Sequence, residues 1–108
     1  MDEINIINAN FTCDLNALND IQRNRLGRFH RDFLPLAISI DELKNGYDLK
    51  FPYDETLFVN AAEYITIERL CCPFLRLNIS LAQNGETFNI SIAGDDGVKT
   101  FIKAELGF

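Results

Sequence analysis

Apolar side chains recur along this chain with two periods, and the places where the period changes mark out its elements. Ile7, Ala9, Phe11 and Cys13 fall at every second position, which predicts a strand over Ile6 to Cys13 with Cys13 turned toward the core. Steps of three and four then take over. Leu15, Leu18, Ile21 or Gln22, Leu26, Phe29 and Phe33 form the stripe of a helix that Asp14 is placed to cap and Pro35 to stop. Gly27 within that stripe costs about 1 kcal/mol relative to alanine, so close packing or a kink is expected there.

Ile38 and Ile40 alternate within Leu36 to Leu43, and Tyr47, Leu49 and Phe51 alternate again before Pro52, with Lys44-Asn45-Gly46 between the two runs. Asn-Gly in that setting signals a hairpin, because both residues tolerate positive φ. Asp54 is placed to cap a second helix, Glu55 to Cys71, whose inner side is expected to carry Leu57, Phe58, Ala61, Ala62, Ile65 and Leu70. The clearest strand follows, with Leu75, Leu77, Ile79 and Leu81 alternating with Arg76, Asn78 and Ser80. Asn84-Gly85 turns it back into Thr87 to Ala93, where Phe88, Ile90 and Ile92 share a face. Asp95 or Asp96 is then expected to cap a last helix through Val98, Phe101, Ile102 and Leu106. Residues 1–5 are polar and read as a frayed end. The order strand, helix, hairpin, helix, hairpin, helix predicts an α+β fold: an antiparallel sheet with helices packed on one face.

Composition narrows this picture. A chain of 108 residues that is 47% hydrophobic, with nine phenylalanines, can build one core, and no repeat, linker or low-complexity segment divides it; a single domain over 1–108 is expected. Sixteen acidic against ten basic residues leave a net charge of −6, which repels phosphate backbones and anionic lipid. Nucleic acid and membrane are therefore not expected partners. No apolar run approaches the roughly 18 residues of a spanning helix, and Met1 to Phe11 lacks the basic start and apolar middle of an export signal. The expectation is a cytoplasmic protein, and three cysteines, two of them adjacent, fit a reducing compartment better than a secreted disulfide framework. Neither hairpin advertises a protected outer strand, so a sheet edge is open to homo-oligomer formation.

The candidate chemistry gathers at Cys71 and Cys72. Adjacent α-carbons lie about 3.8 Å apart, whereas disulfides prefer roughly 4.4 to 6.8 Å, so the pair is expected as a dithiol rather than a bridge. Pro73 pushes Cys72 out of helical geometry, which allows the second thiol to swing toward the first. With Cys13 the pair offers three soft sulfur ligands to a thiophilic metal ion or metalloid. A conventional zinc site has four ligands and C-x2-C spacing, which is missing here, and His30 is the only histidine available as a fourth. Redox exchange is the other use of such thiols, although a helix C-terminus disfavours a thiolate and only Arg69 or Arg76 is near enough in sequence to offset it. Against both stands simple packing, since cysteine is among the most buried residue types.

Other features carry less. Arg25, Arg28 and Arg31 recur at three-residue steps and suit an anion or an acidic partner, but a solvated face neutralised by Asp20, Asp32 and acids elsewhere is the preferred reading. His30 has no carboxylate or serine partner visible in sequence. Glu63 and Glu68, five apart, do not share a helix face, which argues against a carboxylate pair. Gly94-Asp95-Asp96-Gly97 before a helix has the outline of a phosphate-binding start, but two aspartates there repel an anion.

Glu68-Arg69-Leu70-Cys71-Cys72-Pro73-Phe74, followed by Gly94-Asp95-Asp96-Gly97-Val98-Lys99-Thr100-Phe101, resembles a group of small bacterial proteins that carry E-R-x-C-C-P-F and then G-P-x-G-x-K-x-F. Phe11-Thr12-Cys13-Asp14-Leu15 and Gly46-Tyr47-Asp48-Leu49-Lys50-Phe51-Pro52 are similar to that group's other recurring segments. Asp95 departs from the group's proline. The group has no assigned activity, so the resemblance draws attention to Cys13, Cys71 and Cys72 without naming their task. Two readings follow from the sequence: a vicinal-thiol site for a soft metal, a metalloid or redox exchange, and a non-catalytic binding or interaction module with packed cysteines. It names neither a small-molecule substrate nor an enzymatic reaction.

Overall fold

The alternating runs build the sheet as two hairpins side by side. In the computed structural model, which describes residues 11–107, β1 (Ser39–Leu43) pairs with β2 (Gly46–Pro52) and β3 (Arg76–Leu81) with β4 (Thr87–Ala93). β2 and β4 pair in the centre, all three pairings are antiparallel, and the strand order is β1-β2-β4-β3. The register sets Ile40, Leu49, Ile90 and Ile79 in one row across the sheet, flanked by rows of Tyr47, Ile92 and Leu77 and of Phe51, Phe88 and Leu81. The alternate rows, such as Asp41, Asp48, Ser91 and Asn78, are polar. The helices therefore cover one face only, the α+β arrangement that the pattern predicts.

Both turns depart in detail from the expected Asn-Gly geometry. The first connection is Lys44-Asn45, and among the described residues no non-glycine residue has positive φ. Gly46 has already entered β2 opposite Ala93, where a Cβ would lie 2.6 Å from the Ala93 α-carbon and against the Ile92 carbonyl. Close approach of β4, not turn handedness, requires that glycine. In the second turn Gly85 alone is left-handed, at φ 72°.

The first helical stripe is interrupted. Leu18, Leu26, Phe29 and Phe33 are buried, but Leu15 and Ile21 are 52% and 69% exposed. Asp14 caps only a single 3-10 turn, Leu15–Ala17, and α1 (Asp20–Arg28) starts afresh with Asn19 and Gln22 in a capping box. Past Arg28 the helix widens into a π turn, Phe29–Phe33, and tightens into a 3-10 turn, Leu34–Leu36, around Pro35. Gly27 has open space where a Cβ would point, so close packing does not explain it; the irregular backbone begins two residues further on. The strand expected over Ile6 to Cys13 falls mostly outside the described residues, and Phe11 to Cys13 are not strand.

α2 (Glu55–Cys71) has the expected bounds, and Asp54 accepts a hydrogen bond from the Leu57 N–H as its cap. Its inner face is rotated from the expected one. Ala61, Tyr64, Ile67, Glu68 and Cys71 are buried, Leu57, Phe58 and Ile65 half-buried, and Ala62 and Leu70 exposed. α2 is also the crossover that joins β2 to β3, two parallel strands separated by β4. α3 (Val98–Leu106) is not capped by an aspartate side chain: Gly97, at φ 91°, holds the N-cap, and Asp96 instead accepts from the Asn45 amide at 3.2 Å. No described helix is long and apolar enough to cross a membrane.

Candidate metal centre

The end of α2 sets the geometry of the sulfurs. Cys71 is its last residue, and Cys72 caps it with φ −127° and ψ 65°, out of the helix as the following proline demands. The two Sγ atoms consequently lie 3.6 Å apart, where an uninterrupted helix would splay them. Cys13 reaches them because the next residue is tied to the helix end: the Asp14 N–H donates to the Cys71 carbonyl at 2.8 Å. The α-carbons of Cys13 and Cys72 are 4.7 Å apart and these two residues are disulfide-bonded, which leaves Cys71 as the free thiol. The expected dithiol is corrected accordingly. Neighbouring cysteines are too close to bridge one another, but a third from outside the helix enters the range in which disulfides form.

Glu68, one turn back on α2, is 1% exposed and faces the sulfurs. Its Oε1 lies 3.2 Å from Cys72 Sγ and 3.7 Å from Cys71 Sγ. Its Oε2 accepts from the Tyr64 hydroxyl at 2.6 Å. A buried carboxylate is costly unless it is paired, and its only ion pair among the described residues is with His30, whose Nε2 is 3.5 Å from Oε2. At that distance Nε2 makes a charge contact rather than a formed hydrogen bond, and this enclosed nitrogen has no hydrogen-bond partner among the described residues. Glu105 of α3 completes the group, its Oε2 3.8 Å from His30 Nε2 and 3.7 Å from Cys13 Sγ.

The titration behaviour reflects this crowding of acids. Burial, reinforced by the charge of Glu68, pushes the Cys71 thiol up to about 12 and the Tyr64 phenol well above its usual value. Burial and the Glu68 charge also raise the Glu105 carboxyl, against the pull of His30. Burial alone would lower His30, but Glu68 and Glu105 together outweigh it and hold the imidazolium above its ordinary value. The locality carries more negative or potentially negative groups than cations to balance them.

Two overlapping sets of ligand atoms result, each confined within 4.8 Å: Cys13, Glu68, Cys71 and Cys72, and His30, Glu68 and Glu105. Cys13 and Glu105 also line an open hollow of about 510 Å³ with Phe11, Thr12, Phe101 and Ala104, so the centre has a route to solvent. Of the residues singled out in sequence, the three cysteines come together. Arg25 pairs with Glu63 at 2.5 Å and lines a separate hollow of about 260 Å³ with Arg28, while Arg31 pairs with Asp32 at 3.2 Å.

Glu68 and Glu63 do point apart, as their spacing requires, but Glu68 points inward. The signal for it was the spacing Tyr64, Glu68, Cys71, which puts a phenol, an acid and a thiol on one helix face. Nothing in the sequence near Glu105 pointed to it. Comparison with protein-family models, with curated proteins and with solved structures finds no match to this chain.

Proposed function

We propose that this protein binds a zinc-like, thiophilic divalent cation at Cys13, Cys71, Cys72 and Glu68 once the Cys13–Cys72 bond is reduced. The observation that carries this is the convergence of three sulfurs and a buried carboxylate oxygen, which fits a tetrahedral S3O donor set. With metal–sulfur bonds of about 2.3 Å and metal–oxygen bonds of about 2.0 Å, tetrahedral ligands sit about 3.8 Å apart for two sulfurs and about 3.5 Å for sulfur and oxygen. The contacts of 3.6, 3.2 and 3.7 Å among Cys71, Cys72 and Glu68 fall around those values, and reduction has to part Cys13 from Cys72 to complete the set. The missing C-x2-C spacing is no obstacle, because Pro73 and Cys13 achieve by tertiary contact what that spacing achieves locally.

The electrostatics support the same reading. A thiol pushed up to about 12 is a poor nucleophile near neutral pH, which argues against Cys71 attacking the neighbouring disulfide in redox exchange. A bound dication reverses that bias by stabilising the thiolate directly, and offsets the negative charge of Glu68. Passive packing of the cysteines accounts less well for a carboxylate enclosed among sulfurs.

The test is titration of fully reduced protein with Zn²⁺ against a chromophoric chelator, with Co²⁺ as an optical probe for thiolate coordination. One tight equivalent with a sulfur-to-cobalt charge-transfer band is expected, weakened at least tenfold in Cys71→Ser and Cys72→Ser. Equal binding by parent and both variants removes the proposal.

A further inference from the structure

His30 Nε2 is enclosed and has no hydrogen-bond partner among the described residues, and two carboxylate oxygens from different helices approach it to 3.5 and 3.8 Å. Without a formed hydrogen bond the enclosed nitrogen gives up its hydration and recovers only charge contact with the two carboxylates. One imidazole nitrogen and two carboxylate oxygens converging from three elements are also a donor set that could hold a cation. We infer that His30 Nε2, Glu68 Oε2 and Glu105 Oε2 form a second cation site, for a divalent first-row metal, and that Glu68 bridges it to the sulfur centre.

The donor set differs in kind from the first. One imidazole and two carboxylates are nitrogen and oxygen ligands, which suit Zn²⁺, Fe²⁺ or Mn²⁺ rather than an ion that selects thiolates. Nε2 lies 3.5 and 3.8 Å from the two oxygens, close to the roughly 3.4 Å edge of a tetrahedron with bonds near 2.1 Å. Small inward movements of Glu105 close the difference. Tyr64 supports the site from behind: its hydroxyl donates to the same Glu68 oxygen and fixes the carboxylate plane, the usual task of an outer-shell partner. Three protein ligands leave a coordination position for water, and Glu105 lines the hollow through which water reaches it.

The bridge follows from how Glu68 is divided. Oε1 faces Cys71 and Cys72, and Oε2 faces His30, so the two oxygens of one buried carboxylate look into two ligand sets. A carboxylate used in this way holds two metal ions about 3.5 to 4 Å apart. The bridging role rests on the sulfur centre proposed above; the His30 site itself does not.

The disulfide provides the experiment without any substitution. With Cys13–Cys72 intact, two of the three sulfurs are unavailable, whereas His30, Glu68 and Glu105 are untouched. Zn²⁺ uptake is counted by isothermal titration on the oxidised and the reduced full chain, with circular dichroism confirming that both stay folded. One equivalent is expected for oxidised protein and two for reduced. In His30→Gln and Glu105→Gln each count falls by one, or the affinity of that equivalent drops at least tenfold, while the cobalt–thiolate band of the reduced form persists. One equivalent in both redox states, lost in His30→Gln, upholds this site and removes the sulfur centre. Oxidised protein that takes up no Zn²⁺, or variants that bind as the parent does, overturns the inference.

Discussion

At the proposed centre Glu68 would separate stability from binding, because its charge burdens the metal-free protein and would serve a metal-bound one. Replacing it with glutamine keeps its shape and removes one of several crowded negative charges, while Glu105 remains beside His30 so that the imidazolium is not left unpaired. The metal-free Glu68→Gln protein is expected to unfold at the same urea concentration as the parent or higher, while its Zn²⁺ affinity falls at least tenfold. Unchanged affinity would exclude Glu68 as a ligand. Cys71 gives a pH signature of its own. Its thiol holds its proton more tightly folded than unfolded, so this contribution to stability is whole below about 9 and is lost as pH rises toward about 12. Metal-free parent should therefore lose stability over that range relative to Cys71→Ala, as read from urea midpoints at each pH; parallel curves would show that the thiol is not held in a folded environment hostile to its charge.

At the scale of elements, two glycines that look alike in sequence have opposite roles. Gly27 sits in α1 with free space at its Cβ position and without a positive φ, so Gly27→Ala should stabilise by about 0.5–1 kcal/mol through helix propensity. Gly46 faces Ala93 across a strand pair too close for any side chain, so Gly46→Ala should destabilise by about 1–3 kcal/mol, the range of an overpacked core. Chemical denaturation of the two variants checks both signs. The π turn belongs to the same scale. Such turns insert an extra residue into a helix and change the direction of the side chains that follow, and this one contains His30, the residue that meets two carboxylates.

For the whole molecule, the Cys13–Cys72 link closes a loop of sequence separation 59 that takes in α1, the first hairpin and α2. In the chain-entropy account a loop of that size contributes about 4 kcal/mol. Reduction should lower the urea midpoint of the metal-free protein, and Zn²⁺ added to the reduced protein should restore much of the loss, because a ligand that binds only the folded state stabilises it by mass action. A reduced protein whose midpoint is insensitive to Zn²⁺ would contradict a metal centre that holds Cys13 to the end of α2.

The alternating and helical periods determined the α+β class, both hairpins and the bounds of α2, because burial on one face repeats with the local geometry of strand and helix. They also determined that Cys72 leaves the helix, since proline acts on the residue immediately before it. What they left open depends on distance in sequence. Cys13 reaches Cys72 only through a backbone bond at the helix end, and Glu105 reaches His30 only because α3 docks beside the π turn. Glu68 lay between the two cases. Hydropathy reads an acid as outward-facing, and only the folded chain, by setting Tyr64, His30 and three sulfurs around that carboxylate, gave it a reason to be inside.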